Sequence, residues 1–241
     1  MAAEDIMAFE GKTVWITGGG TGIGKAIAAG FLREGAQVVL SGRTAKRIDD
    51  AAAELGSGVR AIPCDVSDKN EVAAVTARIT ELCGPIDILI NNAGVTVFKP
   101  FLSTSVEEFD ELTSVNLRGP FLTTQAVLPS MIERGGGTVV MINSMAARQV
   151  FANSSVYAAT KGGLKWLADC LRLEVRGSGV RVINIHPGAT NTPIWPEVVR
   201  DKHAERMMRP EDVAEAIISA CKAPASIMIE EIVMQPIGGA L

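Results

Sequence analysis

A short apolar run, Thr13-Val14-Trp15-Ile16-Thr17, leads directly into Gly18-Gly19-Gly20-Thr21-Gly22-Ile23-Gly24 and then into Lys25-Ala26-Ile27-Ala28-Ala29-Gly30-Phe31-Leu32. An unbroken apolar run with β-branched residues predicts a strand buried on both faces, as the strands of parallel sheets are. The stretch after the glycines predicts a helix. Strand, glycine turn and helix in that order aim backbone N–H groups and the positive end of a helix at one point, which favours a phosphate there. A side chain on the turn would hold a pyrophosphate away, so the turn needs glycine. A glycine-rich connection with no ligand is the alternative reading of these residues.

The runs Gln37–Ser41, Val59–Pro63, Ile86–Ile90, Thr138–Ile142, Val180–His186 and Glu231–Met234 predict further strands. At 241 residues and 47% hydrophobic content the chain is long enough for one sizeable core, and no linker divides it, so residues 1–241 are expected to form one α/β domain. The net charge of −4 gives no electrostatic reason to expect nucleic acid. Cys64, Cys83, Cys170 and Cys221 are scattered without a CxxC pair, and His186 and His203 are the only histidines, so no metal site is expected and the cysteines read as buried thiols in a reducing compartment. Met1 to Glu10 lacks the pattern of a signal peptide, and no apolar run is long enough to span a bilayer. The expectation is a soluble cytoplasmic protein with no membrane partner.

Tyr157 and Lys161 stand four residues apart in Tyr157-Ala158-Ala159-Thr160-Lys161, which stacks phenol and ammonium on one helix face. A fixed positive charge favours the phenolate and is expected to draw the tyrosine pKa down from about 10 towards neutral, where a general acid or base works best. Ser144 ends the strand at Thr138–Ile142, so its hydroxyl is expected at the carboxyl end of the sheet, where open α/β folds bind ligands. Read alone, the Tyr–Lys pair is equally a partly exposed helix face. Dinucleotide folds usually carry an acid after the second strand to grip the ribose 2′-hydroxyl, but here the strand ends in Ser41-Gly42-Arg43-Thr44. Arg43, helped by Ser41 and by Lys46 or Arg47, can pair with a 2′-phosphate, which favours NADP(H) over NAD(H). The alternative for Arg43 is a solvated charge.

With Thr17-Gly18, three residues, then Gly22-Ile23-Gly24, followed by Asn91-Asn92-Ala93-Gly94, Tyr157-x-x-x-Lys161 and Pro187-Gly188-Ala189-Thr190-Asn191-Thr192, the chain resembles the short-chain dehydrogenase/reductase family over nearly its whole length and in the family's order. The resemblance implies a doubly wound, mostly parallel sheet of about seven strands with helices on both faces. It implies hydride transfer between a nicotinamide and a carbonyl or alcohol, with Tyr157 as the acid/base and Ser144 on the substrate oxygen. Lys161 would tune the tyrosine and hold the nicotinamide ribose, and Asn116 would support a proton relay. Cofactor contacts carried over from the family fall on Gly18, Thr21, Gly22, Ile23 and Gly24 of the turn, on Asp65 and Val66 at the adenine, on Asn92, Ala93 and Gly94, and on Pro187, Gly188, Thr190 and Thr192 at the nicotinamide. Asp65 read as a residue is also a turn cap, and Asn116 a helix asparagine bonded to its own backbone.

Ser105 to Glu108 fits a capping box, so a helix is expected from there, interrupted near Pro120. On the helix of Tyr157 one face carries Tyr157, Lys161, Leu164, Ala168, Leu171 and Val175, and the opposite one Ala159, Gly163, Trp166, Cys170 and Leu173, with Lys165, Asp169 and Arg172 between them. The first face is expected on the sheet. The second, with Trp166, meets either another subunit in a dimer or tetramer or a loop of the same chain. Residues 193–209 read as a substrate lid, whose Arg200, Lys202, His203, Arg206 and Arg209 either attract an anionic substrate or form a solvated face. The substrate is expected to be a small carbonyl or alcohol: a 3-oxoacyl thioester and a hydroxy acid handled with NAD are the alternatives, and a nucleotide-binding regulator is the reading outside catalysis.

Overall fold

Alternation along β1 (Thr13–Thr17) decides the layering. Val14 and Ile16 enter one apolar cluster and Trp15 the other, on the opposite face of the sheet. The computed structural model describes residues 7–240; the expectation of a leaderless N-terminus concerns in part residues 1–6, which lie outside, as does Leu241. The remaining elements are α1 (Gly22–Arg33), β2 (Gln37–Ser41), α2 (Ala45–Leu55), β3 (Val59–Ala61), α3 (Lys69–Cys83), β4 (Ile88–Asn91), α4 (Val106–Thr113), α5 (Gly119–Glu133), β5 (Gly137–Ile142), α6 (Ser155–Val175), β6 (Val180–Pro187), α7 (Glu197–His203), α8 (Pro210–Cys221) and β7 (Glu231–Met234).

Seven strands form one sheet in the order β3-β2-β1-β4-β5-β6-β7, with every pairing parallel. The order runs outward from β1 in one direction through β2 and in the other through β4. Such a reversal leaves a crevice at the carboxyl ends of the central strands, because the helices on either side lie on opposite faces. One cluster joins α1 and α8 to the sheet through Ile27, Phe31 and Ile217. Gly30 permits that packing, since a Cβ there would stand 1.9 Å from Ile218 Cδ1. The other cluster holds Leu89, Met141, Leu164 and Ala168, so the predicted sheet-facing side of α6 is the buried one.

Several details differ from expectation. Strand β3 stops at Ala61 and β4 begins at Ile88, each two residues inside the expected run. The capping box at Ser105 and Glu108 is present, but the interruption before Pro120 is a π-helical turn, Ser114–Arg118, and Pro120 starts α5 where its missing N–H costs nothing. Arg172, between the two faces of α6, is buried, and its guanidinium donates to the carbonyls of Val182 and Glu230, each at 2.9 Å. Cys64 and Cys221 are buried thiols as expected, whereas Cys170 lies on the exposed face of α6; all four are free. Trp166 and Leu173, on that same face, are 68% and 66% exposed in the single chain.

Candidate active site

A groove of about 630 Å³ opens at the carboxyl ends of β1, β4, β5 and β6. Its cofactor-side wall is the glycine turn after β1. Gly18 has φ 64°, and a Cβ on it would lie 2.8 Å from Ala93 Cα, so both conformation and space require glycine. Asn92 Nδ2 donates to the carbonyls of Thr17 at 3.0 Å and Gly18 at 2.9 Å, and Thr17 Oγ1 accepts from the N–H groups of Asn92 and Ala93. The end of β4 therefore holds the turn in shape. Gly24 lies against this brace, where a Cβ would meet Asn92 Nδ2 and Gly18 O at 2.5 Å.

Residues present fit a dinucleotide phosphate. Thr21, at the start of α1, makes no side-chain cap, so the first N–H groups of that helix keep their capacity to donate. Thr21, Gly22 and Ile23 line the groove on this side, and Ala93 and Gly94 line it across from them. Thr192 packs over Gly22, within 3.0 Å of where a Cβ would be, and Pro187, Gly188 and Thr190 continue the wall from the end of β6.

Catalytic candidates converge at the other side. Ser144 follows β5 with extended backbone, its Oγ accepting from Ala146 N at 3.1 Å and facing the phenol of Tyr157 in the first turn of α6. Lys161, one turn on, is 5% exposed; its Nζ donates to the Ile142 carbonyl at 2.9 Å and lies 5.9 Å from the Tyr157 ring centre. Gly94 stands between Lys161 and Asn116: a Cβ there would be 3.9 Å from Lys161 Nζ and 3.4 Å from Asn116 Oδ1. Asn116 is not bonded to its own helix. It exchanges hydrogen bonds of 2.9 Å with the N–H and carbonyl of Val95 and donates to Thr160 Oγ1 at 3.2 Å, which ties the π-turn to the chain after β4 and to α6.

The electrostatics depart from expectation. Burial pushes the Tyr157 phenol up from its ordinary value, with the Ser144 hydroxyl opposing that rise, and burial pulls the Lys161 ammonium down to about 8. Both shifts have one cause: a charge in this pocket loses water that its few partners do not replace. The expected direction is a fall under Lys161; the shift runs the other way because burial dominates it.

Some expected cofactor residues stand off the groove. Ser41 Oγ is buried and accepts from the Trp15 indole at 2.9 Å, because Ser41 and Trp15 fall on the same side of adjacent strands. Arg43 pairs with Glu111 at 3.3 Å, both side chains half exposed, while Arg47 lines the groove beside the turn. Asp65 accepts from the N–H and hydroxyl of Ser67 at 2.9 and 2.7 Å, which makes it a turn cap, and Val66 is buried against Gly119. His186 is fully buried under the site, its Nδ1 3.3 Å from the Ser144 carbonyl, and burial lowers its pKa. Conversely Phe98 and Trp195 line the groove. Trp195 lies in the expected lid; Phe98 follows β4 in an irregular segment where neither periodicity nor a motif marks it. Among the described residues there is no cluster of metal ligands and no helix long and apolar enough to cross a membrane.

Comparison with known proteins places this geometry among relatives. The family model for short chain dehydrogenases matches residues 12–203. The chain is 37% identical over 234 residues to a sepiapterin reductase of Chlorobaculum tepidum, covering 93% of this chain and 96% of that protein. The closed form of a serine dehydrogenase complexed with NADP+ superposes with a TM-score of 0.89 at 30% identity, covering 95% of this chain and 96% of that one. A 3-ketoacyl-(acyl-carrier-protein) reductase of Brucella melitensis complexed with NADH superposes with a TM-score of 0.87 at 31% identity, covering 94% and 98%.

Proposed function

Because the chain belongs to the short-chain dehydrogenase family of NAD(P)-dependent oxidoreductases, we propose that it is a carbonyl reductase that prefers NADP(H) and uses Tyr157 as its proton donor. The observation that carries this reading is the meeting of Ser144, Tyr157 and Lys161 with the glycine turn in one groove. When bound, the reduced nicotinamide supplies a hydride, with its two electrons, to the carbonyl carbon and is left oxidised. Tyr157 gives its hydroxyl proton to the carbonyl oxygen, so the ketone becomes a secondary alcohol. A phenol whose pKa burial raises suits a proton donor, and so the reduction direction. Ser144 holds the substrate oxygen beside it, and Lys161 replaces the lost solvation of the phenolate left behind. Asn116 sits across Gly94 from Lys161, where it supports return of a proton from solvent. Most of the rate gain comes from holding carbonyl and proton donor in register.

Gly18, Thr21, Gly22, Ile23 and Gly24 form the pyrophosphate cradle; Asn92, Ala93 and Gly94 flank the ribose; Pro187, Gly188, Thr190 and Thr192 flank the nicotinamide. Asp65 and Val66 shape the adenine end. Arg47 on the groove, together with Arg43 after β2, answers the 2′-phosphate, and no acid stands at the end of β2 to repel it. Residues 193–209 act as the lid. The protein works in the cytoplasm as a homo-oligomer, readings supported by its free thiols and by the apolar face of α6 around Trp166.

Titration with NADPH and NADH, followed by nicotinamide fluorescence, tests the cofactor reading. NADPH should bind the more tightly, and Arg47→Ala should weaken NADPH by about tenfold while leaving NADH little changed. Equal affinity for the two cofactors in the unmutated protein would contradict the preference for NADP.

A further inference from the structure

The two ends of the groove differ in chemistry. At the outer end the ring of Phe98 stacks on Trp195, with centres 5.4 Å apart and planes 13° from parallel. The same Phe98 ring stands 6.0 Å from that of Tyr157, tilted by 60°. Three rings thus form one wall that runs from residues 193–209 to the proposed proton donor. Met145, Phe151 and Ile194 line this end as well. Phe98 and Ile194 are each 43% exposed, apolar surface held open to water inside a concave site, which marks a surface for an apolar ligand. The wall is tied to the cofactor side, since Trp195 N donates to the Thr192 carbonyl at 3.1 Å and Thr192 packs over Gly22.

Charge points the same way. None of the five basic side chains of 193–209 lines the groove: Arg209 pairs with Asp212 at 3.0 Å, Arg206 reaches the carbonyl of Ala240 at the groove's edge at 3.4 Å, and Arg200 Nε is buried without a partner. The lining cations among the described residues are Arg47, beside the glycine turn, and Lys161, turned to the Ile142 carbonyl. A carboxylate or phosphate at the outer end would lose its water and meet no counter-charge among the lining side chains there. Thr96 Oγ1, a neutral group of the groove lining, is buried and has no hydrogen-bond partner in the protein.

We infer that the substrate is a neutral ketone carried on a flat aromatic or conjugated body, which lies against Phe98 and Trp195 while its oxygen meets Tyr157 and Ser144. This rests on the carbonyl-reductase reading above and sets aside the anionic substrates that a basic lid would have favoured. A second polar atom on the flat body would satisfy Thr96.

The test is a comparison of propiophenone with cyclohexyl ethyl ketone, which matches it in length and reacting group but is not flat, and with the para-carboxylated propiophenone. An aromatic contact is worth roughly threefold to tenfold in kcat/KM over its buried area, so propiophenone should exceed the cyclohexyl ketone by about that factor. The carboxylated compound should fall below propiophenone by about tenfold or more. Phe98→Leu, which stays apolar and removes the ring, should bring the first ratio to about one, and Phe98→Tyr should keep it. Binding of propiophenone should also quench tryptophan emission, and Trp195→Phe should abolish that quenching. Turnover of both uncharged ketones without preference, a preference that survives Phe98→Leu, or faster turnover of the carboxylated ketone would each overturn this inference alone. If no ketone is reduced with either cofactor, the carbonyl-reductase reading fails and this one with it.

Discussion

The two walls of the groove are made of different material. On the cofactor side the wall is main chain: the turn after β1, the end of β4 and the end of β6, held by Asn92, by Thr17 and by glycines that no side chain could replace. On the substrate side it is side chain: Phe98 from an irregular segment, Met145 from a single tight turn, and Trp195 ahead of the short helix α7. Main chain in a fixed frame recognises what every dinucleotide carries, while side chains on short connections can be exchanged without disturbing the sheet. The first wall is therefore bound up with the fold, and the second can vary without disturbing it.

Lys161 lies where the walls meet, and changing it should have the largest effect. Its folded pKa, about 8, lies below the 10.5 of an unperturbed lysine. Between those values the unfolded chain holds more protons than the folded one, so the contribution of Lys161 to stability rises with pH across that window and is unfavourable below it. Lys161→Met should therefore stabilise the protein at pH 7, by on the order of 3 kcal/mol before the loss of its bond to Ile142, while turnover collapses. The difference in denaturant midpoint between the variant and the unmutated protein should shrink from pH 8 to pH 10.5. A destabilised variant at pH 7 would show that the charge is better solvated than its burial implies.

Gly18→Ala breaks the main-chain wall alone. A residue with a Cβ at φ 64°, 2.8 Å from Ala93 Cα, should cost about 2 kcal/mol and weaken both cofactors alike. Chemical denaturation and the nicotinamide titration read the two effects, and a variant of unchanged stability would mean that the turn relaxes. The smallest effect is expected at Lys202 of α7, which is exposed and away from the groove. Lys202→Ala should change stability by less than about 0.5 kcal/mol and leave KM for a neutral ketone unaltered. A rise in KM would show that the lid cations reach the substrate.

How much of this was readable in advance follows from the same contrast. The glycine turn and the spacing of Tyr157 and Lys161 are local patterns, and each lies where its pattern implies. The bond of Ser41 to the Trp15 indole is legible too, since two-residue alternation sets both on one side of the sheet. Asp65 and Arg43 carry the right charge for their expected roles, but the nearer partners Ser67 and Glu111 come from turns and helices that no motif fixes. The stacking of Phe98 on Trp195 joins two irregular segments distant in sequence, which periodicity cannot bring together. The direction of the Tyr157 shift depends on how many groups replace water around it, a property of packing and not of spacing.

The central claim is that Tyr157 supplies the proton, and the most direct measurement is ketone reduction by Tyr157→Phe with NADPH binding followed in the same preparation. The expected result is a fall in kcat of about 10²- to 10⁴-fold, the usual worth of a positioned general acid, with NADPH affinity within about threefold of the unmutated protein. Retention of turnover, with the cofactor still bound, would contradict the account and require another proton donor in the groove.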